Sequence, residues 1–517
     1  MQSSDFQSIA GAYRAQAQAT PEAIALSDER CQLTFKELDL LSDLIAAEIG
    51  WEHRGECIGL VLDHTVMLIA AILAVLKTGA AYVPAEPSFP AERIRNMMAQ
   101  SDSTLSITQH EYADLFESGP LYFLGPEKLL AKMRRIADGS DADAASELEL
   151  TAAPADASAA DRAYILYTSG STGAPKGVQI SQGNVLHYVN AFAHEFAPGP
   201  ADVMLQYSVC SFDIFTEEVF PVLLHGGSLA IPGPQSKADF ARLLDFITAY
   251  GVTIVTGFPY FIREFNASEV ATDLPRSLRL LISGGDVVRA SYVDRLVGRI
   301  AVYNTYGPSE TTVCCSYFHC RPDTELEDGS YPVGRPILGT EIKVMDNAGH
   351  EVPAGDAGEI YIYGGGVGLG YVGNPASATA FKEAADGSRF YTSGDLGYLL
   401  PDGNLAFLRR ADAQVMILGR RVEPGEVAAV IERHPAVREA VVCAHFDAAN
   451  LAYLTAYVVA EDADTPLDVV ALRSHAASYL AAFMVPEFFV QLAELPKGSS
   501  GKVDLKALPL VLREPQI

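Results

Sequence analysis

Short apolar, β-rich runs at residues 58–62, 163–167, 254–256, 278–283 and 301–304 alternate with stretches of helical period along the first 300 or so positions. Runs apolar on both faces suit strands covered on both sides, so the pattern predicts parallel-rich sheets layered by helices. Residues 360–404 read differently, as hairpin-like strands broken by many glycines. From about Asp412 the pattern changes again: helix-like 426–433, strand-like 440–444 and 452–459, helix-like 467–480, a compact α+β module. The expected organisation is a large N-terminal part, 1–411, and a small C-terminal one, 412–517.

The longest apolar run, residues 67–76, stops at Lys77 and is too short to span a bilayer. Residues 1–9 lack the basic-then-apolar order of a secretory signal. The chain has 517 residues, 49% of them hydrophobic, enough for a large core and not the composition of a disordered chain. Its 37 basic and 65 acidic residues give a net charge of −28, which disfavours unspecific binding to nucleic acid or to an anionic membrane. An anionic ligand therefore needs a local cationic pocket. About a quarter of the excess lies in residues 136–161, with seven acidic residues and no Lys or Arg, which read as a solvated surface loop. Seven cysteines without a C-x-x-C pair fit neither a disulfide framework nor a structural zinc site, and a cytoplasmic location is expected.

The most informative stretch follows the apolar run at 163–167: Thr168-Ser169-Gly170-Ser171-Thr172-Gly173-Ala174-Pro175-Lys176-Gly177. Glycines let backbone N–H groups close around a phosphate, hydroxyls add donors, and Lys176 adds charge. It is not a Walker loop, because Pro175 stands in the glycine position before Lys176.

This segment resembles the phosphate loop of the adenylate-forming superfamily. Other segments similar to that family's follow in order over essentially the whole chain: residues 33–38 and 76–84, Ser211-Phe212-Asp213, Asn304 to Glu310, Tyr391-Thr392-Ser393-Gly394-Asp395, and Gly501-Lys502-Val503-Asp504. The details look like the amino-acid-activating branch, as in nonribosomal peptide synthetase adenylation domains and free-standing amino acid:carrier-protein ligases. The resemblance implies an α/β fold with a distorted β-barrel subdomain in the large part and a mobile lid from Asp412 onward. It also implies ATP and Mg²⁺ as cofactors and a reaction in which a carboxylate attacks the α-phosphorus of ATP, so that fixed positive charge must offset the meeting of two anions.

Carried over residue by residue, the resemblance implies that Lys502 bridges carboxylate and α-phosphate, that Glu310 ligates Mg²⁺ and that Thr168 assists it. The nucleotide would be held by Thr168, Ser169, Gly170, Ser171, Thr172, Gly173 and Lys176, by Gly284, Gly285 and Asp286 beside the base, and by Asn304, Thr305, Tyr306 and Gly307, with Tyr306 stacked on adenine. Asp395 would accept from the ribose hydroxyls, beside Arg410. The substrate pocket would comprise Asp213, Ile214, Glu217, Thr256, Leu281, Ser283, Thr305, Val313, Cys314 and Lys502. Asp213 would pair with the substrate ammonium, a contact that a fatty or aryl acid would leave unpaired. Glu217, among hydroxyl residues, suggests a polar or cationic side chain; a β-amino acid and a small neutral amino acid are the alternatives.

Asp412 resembles the hinge about which the lid turns between adenylation and thioester formation. Arg409, Met416, Leu369 and Ala481 depart from the family pattern. Only nine residues follow Leu508, so the acceptor is expected to be the phosphopantetheine arm of a separate carrier protein. Two other readings stay open: an acyl- or aryl-CoA ligase, against which Asp213 argues, and a non-catalytic nucleotide-binding regulator, against which Lys176, Glu310, Asp395 and Lys502 argue together.

Overall fold

The computed structural model of the chain describes residues 6–51, 53–151, 157–170, 175–373, 379–417, 419–447, 451–462, 465–497 and 503–513. Two parallel-rich sheets dominate the large part. In the first, Ala301–Tyr306, Leu280–Ser283, Ile254–Gly257, Val203–Leu205, Ser228–Ile231 and Ile24–Asp28 run side by side and parallel. In the second, Arg162–Thr168, Ala81–Pro84, Cys57–Val61, Ser103–Thr108 and Leu121–Phe123 do the same.

The helices Val66–Lys77 and Ile214–Leu223 are buried along every residue; the first is apolar all round up to Lys77, whereas the second carries Thr216, Glu217 and Glu218 into the interior. One core joins Leu26 of the first sheet, Ile58 of the second and Leu68, Ile72, Phe215 and Phe220 of these helices. Each such side chain contributes about 1.5–3 kcal/mol relative to exposure, which makes this layer a rigid base for the loops above it.

The expected distorted barrel is instead an open five-stranded sheet among the described residues. Thr340–Met345, Gly358–Gly364, Arg389–Leu399 and Phe381–Glu383 lie in that order, and Leu405–Arg410 pairs alongside Arg389–Leu399. The eleven residues of Arg389–Leu399 are long enough to hold Phe381–Glu383 at one end and Leu405–Arg410 at the other, so the sheet branches rather than closes. A second correction concerns the acid-rich stretch read as a loop, within which Ala142–Thr151 is helical.

The C-terminal part begins with the hairpin Val415–Ile417 and Arg420–Val422. It continues with the helix Pro424–Glu432, the strands Val437–Phe446, Ala452–Ala460 and Phe488–Leu492, and the helix Val469–Ala477. Val422, Val427, Ile431, Leu454, Leu472 and Met484 form its own core, against which Phe89 of the large part packs. No described helix is long and apolar enough to cross a membrane.

Candidate active site

The parallel strands Ile254–Gly257, Leu280–Ser283 and Ala301–Tyr306 end at one edge, where ligands bind in open α/β sheets. The turns that follow them, Phe258, Gly284 to Val287 and Gly307 to Ser309, wall a cleft of about 250 Å³. Thr168, Ser169, Asp213, Ile214, Glu217, Thr256, Asn304, Thr305, Tyr306, Val313, Cys314, Asp395 and Arg410 also line it.

The phosphate-loop segment joins two antiparallel strands, with Thr168 directly opposite Lys176, so it is a hairpin loop and not the strand-to-helix turn of a Walker site. Ser171, Thr172 and Gly173 lie outside the described residues. Gly170 N–H donates to Glu426, 3.1 Å away, and the Lys176 ammonium lies 5.7 Å over the Tyr371 ring. The hydroxyls of Thr168 and Ser211 are buried with no partner among the described residues. An unsatisfied buried hydroxyl costs about 1–3 kcal/mol, so these two suit a ligand rich in acceptor oxygens.

Glu310 is fully buried and accepts two bonds from Arg421, at 2.9 and 3.0 Å, and one from Tyr371, at 2.7 Å. Burial alone would raise its carboxyl; the Arg421 guanidinium and Tyr371 hold it below the usual carboxylate range. Asp395 accepts from Arg410 at 2.7 Å and from the Tyr306 hydroxyl at 2.5 Å, while Arg410 also grips Asp412. Asp286 accepts from Tyr260 at 2.6 Å, and Asn304 ties the wall together through the carbonyls of Tyr331 and Pro332.

Asp213 sits at the N-terminus of the helix Ile214–Leu223, rather than at a strand end, and accepts from the Ser309 hydroxyl. Desolvation pushes its carboxyl up to about 6. One helical turn on, Glu217 is 2% exposed and accepts from the hydroxyls of Tyr188 and Thr256, with Cys314 Sγ 3.9 Å away. Opposite, Thr312 and Val313 both have positive φ, 63° and 69°, a conformation that a β-branched residue adopts only under constraint. The Thr312 hydroxyl fixes that turn by donating to the Gly366 carbonyl at 2.7 Å, which sets Val313 and Cys314 into the wall.

Two carried-over pocket residues do not line the cleft. Leu281 packs into the core with Val255 and Val302, and Ser283 is fully buried behind Gly284. Lys502 lies outside the described residues. Of its neighbours, Val503 bridges to Lys497 and packs with Tyr457 and Val459 of the C-terminal sheet, and the described lining residues end at Met484.

The C-terminal hairpin closes the cleft instead. The Ser169 hydroxyl donates to the Arg421 carbonyl at 2.7 Å and accepts from Glu423 N–H at 3.1 Å. Arg93 pairs with Glu426 at 3.2 Å, and the Arg420 guanidinium lies between the rings of Phe212 and Phe483. Gly419, with φ +73°, leaves no room for a side chain: an added Cβ would stand 2.0 Å from the Phe258 ring. The roles of Arg421, Tyr188 and Phe258 escape a reading along the chain, since each meets its partner across a long sequence separation; the adjacent basic pair Arg420 and Arg421 is the only local signal.

Comparison with known proteins gives the family and the fold. The model of the AMP-binding enzyme family matches residues 13–372, and that of the AMP-binding enzyme C-terminal domain matches residues 426–502. Bacitracin synthase 2 of Bacillus licheniformis is 32% identical over 96% of the chain, which covers 18% of that protein. The chain spans less than half the length of the first curated relatives it matches. Among solved structures, the Vibrio cholerae adenylation domain AlmE, in complex with glycyl-adenosine-5'-phosphate, superposes with a TM-score of 0.81 at 22% identity, covering 96% of both chains. The o-succinylbenzoate CoA synthetase MenE of Bacillus subtilis does so at 0.79 and 23%, covering 96% of this chain and 97% of its own. At these identities the two structures share the fold.

Proposed function

The chain belongs to the AMP-binding enzyme family, whose chemistry is ATP-dependent, AMP-forming ligation, and from that premise we propose that it activates an amino acid and passes it to a carrier protein thiol. The observation that carries this reading is a contrast in charge. The carboxylates of Asp395, Glu310 and Glu426 each have a guanidinium partner, in Arg410, Arg421 and Arg93. Among the described residues Asp213 and Glu217 accept only from neutral groups: hydroxyls, a thiol and, at Asp213, backbone N–H. A substrate that brings an ammonium to Asp213 and a polar or cationic side chain to Glu217 supplies what the protein withholds.

In the first step a substrate carboxylate oxygen bonds to the α-phosphorus and pyrophosphate departs. Hydroxyls of the phosphate hairpin hold the phosphates, Asp395 the ribose, and Lys502 the two reacting anions. Glu310 and Thr168 offer the oxygen donors that suit Mg²⁺, which when bound neutralises phosphate charge. Arg421 must first leave Glu310, so hairpin docking and nucleotide–metal binding exclude each other. In the second step the carrier thiol attacks the acyl carbon and AMP leaves. Closure by the C-terminal hairpin, with residues 485–497 and 503–513 away from the cleft lining, supports this conformation as the one for thiol transfer. Asp412, bound to Arg410 at the start of that part, is the proposed hinge.

Two outcomes follow. Asp395→Ala should raise the KM for ATP about tenfold or more, the loss of a hydrogen bond pair to a charged acceptor, with little change in the KM for the amino acid. Gly419→Leu should keep adenylation near wild type and block transfer to the thiol, because its side chain would collide with Phe258; single-turnover assays of each half-reaction separate the two. The proposed acceptor is tested by incubating enzyme, ATP and labelled amino acid with a phosphopantetheinylated carrier protein or with CoA. Label on the carrier alone is the expected result, and label on CoA alone would favour the CoA-ligase reading.

A further inference from the structure

We propose that Tyr188, with Tyr317 behind it, is a specificity-determining positioning residue: through Glu217 it makes the side-chain subsite accept a cationic group and reject a neutral one of the same shape. This rests on the reading of the cleft as an amino acid site.

Tyr188 belongs to the helix Gln182–Phe196, is fully buried, and is not part of the cleft wall. Its hydroxyl donates to Glu217 and accepts from the Tyr317 hydroxyl at 3.2 Å. On the other carboxylate oxygen the Thr256 hydroxyl donates. Every O–H in this set therefore points inward, toward Glu217. A carboxylic acid would need one of these neighbours to accept its proton, whereas a carboxylate needs only donors, and chained hydroxyl dipoles reinforce one another. The hydrogen bonds of this set favour the ionised form, against the burial that opposes it.

The groups that face Glu217 are Tyr188, Thr256 from the strand Ile254–Gly257, Cys314, Tyr317 in the second layer, and Asp213 one turn earlier on the same helix. None is a cation. Burial, the largest effect, leaves the Glu217 carboxyl above its usual range, although the Thr256 and Tyr188 hydroxyls pull it down; the charge of Asp213 adds to the rise. Removing the Tyr188 hydroxyl takes away one donor to Glu217 and leaves the Tyr317 hydroxyl, among the described residues, only Cys314 to meet, so Glu217 would hold a proton to higher pH and lose its grip on a cation. Residues four apart on a helix face one another about 6 Å apart at Cβ, so Asp213 and Glu217 can be spanned by the two nitrogens of a diamino acid.

The test compares wild type, Tyr188→Phe, Tyr317→Phe and Glu217→Gln in ATP–pyrophosphate exchange. Two substrate pairs are used, ornithine against norvaline and lysine against norleucine, with KM and kcat followed from acid to neutral pH. In Tyr188→Phe the preference for the diamino acid should fall about tenfold, through its KM, with the KM for ATP unchanged. The pH below which that KM rises should move upward, and Tyr317→Phe should shift it in the same direction by less. Equal loss for both members of a pair, with the pH profile unmoved, would make Tyr188 merely structural and overturn the proposal. If Tyr188→Phe does not fold, Tyr317→Phe, which touches no ligand surface, decides by the same two criteria. Glu217→Gln separates the levels. Loss of preference there with none in the tyrosine variants sinks only the positioning role, whereas wild-type preference in Glu217→Gln removes the cationic subsite itself.

Discussion

Replacing Lys502 by Ala is expected to abolish adenylate formation while leaving the fold intact. The attacking carboxylate and the α-phosphate carry like charge, and at about 4 Å their repulsion is of the order of 4 kcal/mol for an effective dielectric near 20. A single preorganised donor at a developing oxyanion contributes about 2.7–4 kcal/mol, or 10²–10³ in rate, and a lysine that meets both anions should exceed that. No other lysine comes from the C-terminal part with glycine before it. Its described neighbour Val503 bridges to Lys497 and packs against the C-terminal sheet, while Arg421 and Gly419 of the hairpin line the cleft. The lysine is thus needed in one orientation of the C-terminal part and the hairpin in the other. Lys502→Ala should accordingly lose pyrophosphate exchange yet still transfer a preformed aminoacyl adenylate to the carrier thiol. Circular dichroism would check the fold, and wild-type exchange rates would remove Lys502 from the mechanism.

The second large effect is expected at Asp213. Truncating one partner of a desolvated, hydrogen-bonded charge pair costs about 2–5 kcal/mol, so Asp213→Ala should lower kcat/KM for the amino acid by 30-fold or more, with binding of ATP nearly unchanged. The sign of the pH dependence follows from the same carboxyl, raised by desolvation to about 6. Above that value it is ionised and holds the ammonium; as pH falls through it, the group takes a proton and the KM for the amino acid should climb. Asp213→Asn should be as impaired and should lack this acid limb. Unchanged kinetics in either variant would favour a substrate without an ammonium.

Much of the site is legible in the chain because its chemistry is local. Glycines and hydroxyls around Lys176, the carboxylate after Phe212, and the turn from Tyr306 to Glu310 each carry their meaning within a few residues. The alternation of apolar runs likewise foretells the parallel strands, since strands buried on both faces need no polar partner. What escapes is long-range. The Arg421 guanidinium meets a carboxylate 111 positions away, and Tyr188 meets Glu217 across 29 residues and Tyr317 across 129. Leu281 follows the neighbouring strand into the core because its Cβ alternates away from the cleft, a matter of register that residue type alone does not reveal. The open sheet escapes for a similar reason: the length of Arg389–Leu399 permits two partners on one strand, and which pairs form depends on bulges set by tertiary packing.

The most direct measurement is ATP–pyrophosphate exchange by the intact chain against a panel of amino acids, aryl acids and fatty acids. Exchange that depends on an added amino acid, strongest with a cationic side chain, is the expected result. Exchange driven by an aryl or fatty acid and by no amino acid would contradict the assignment of Asp213 to a substrate ammonium, and with it the proposed function.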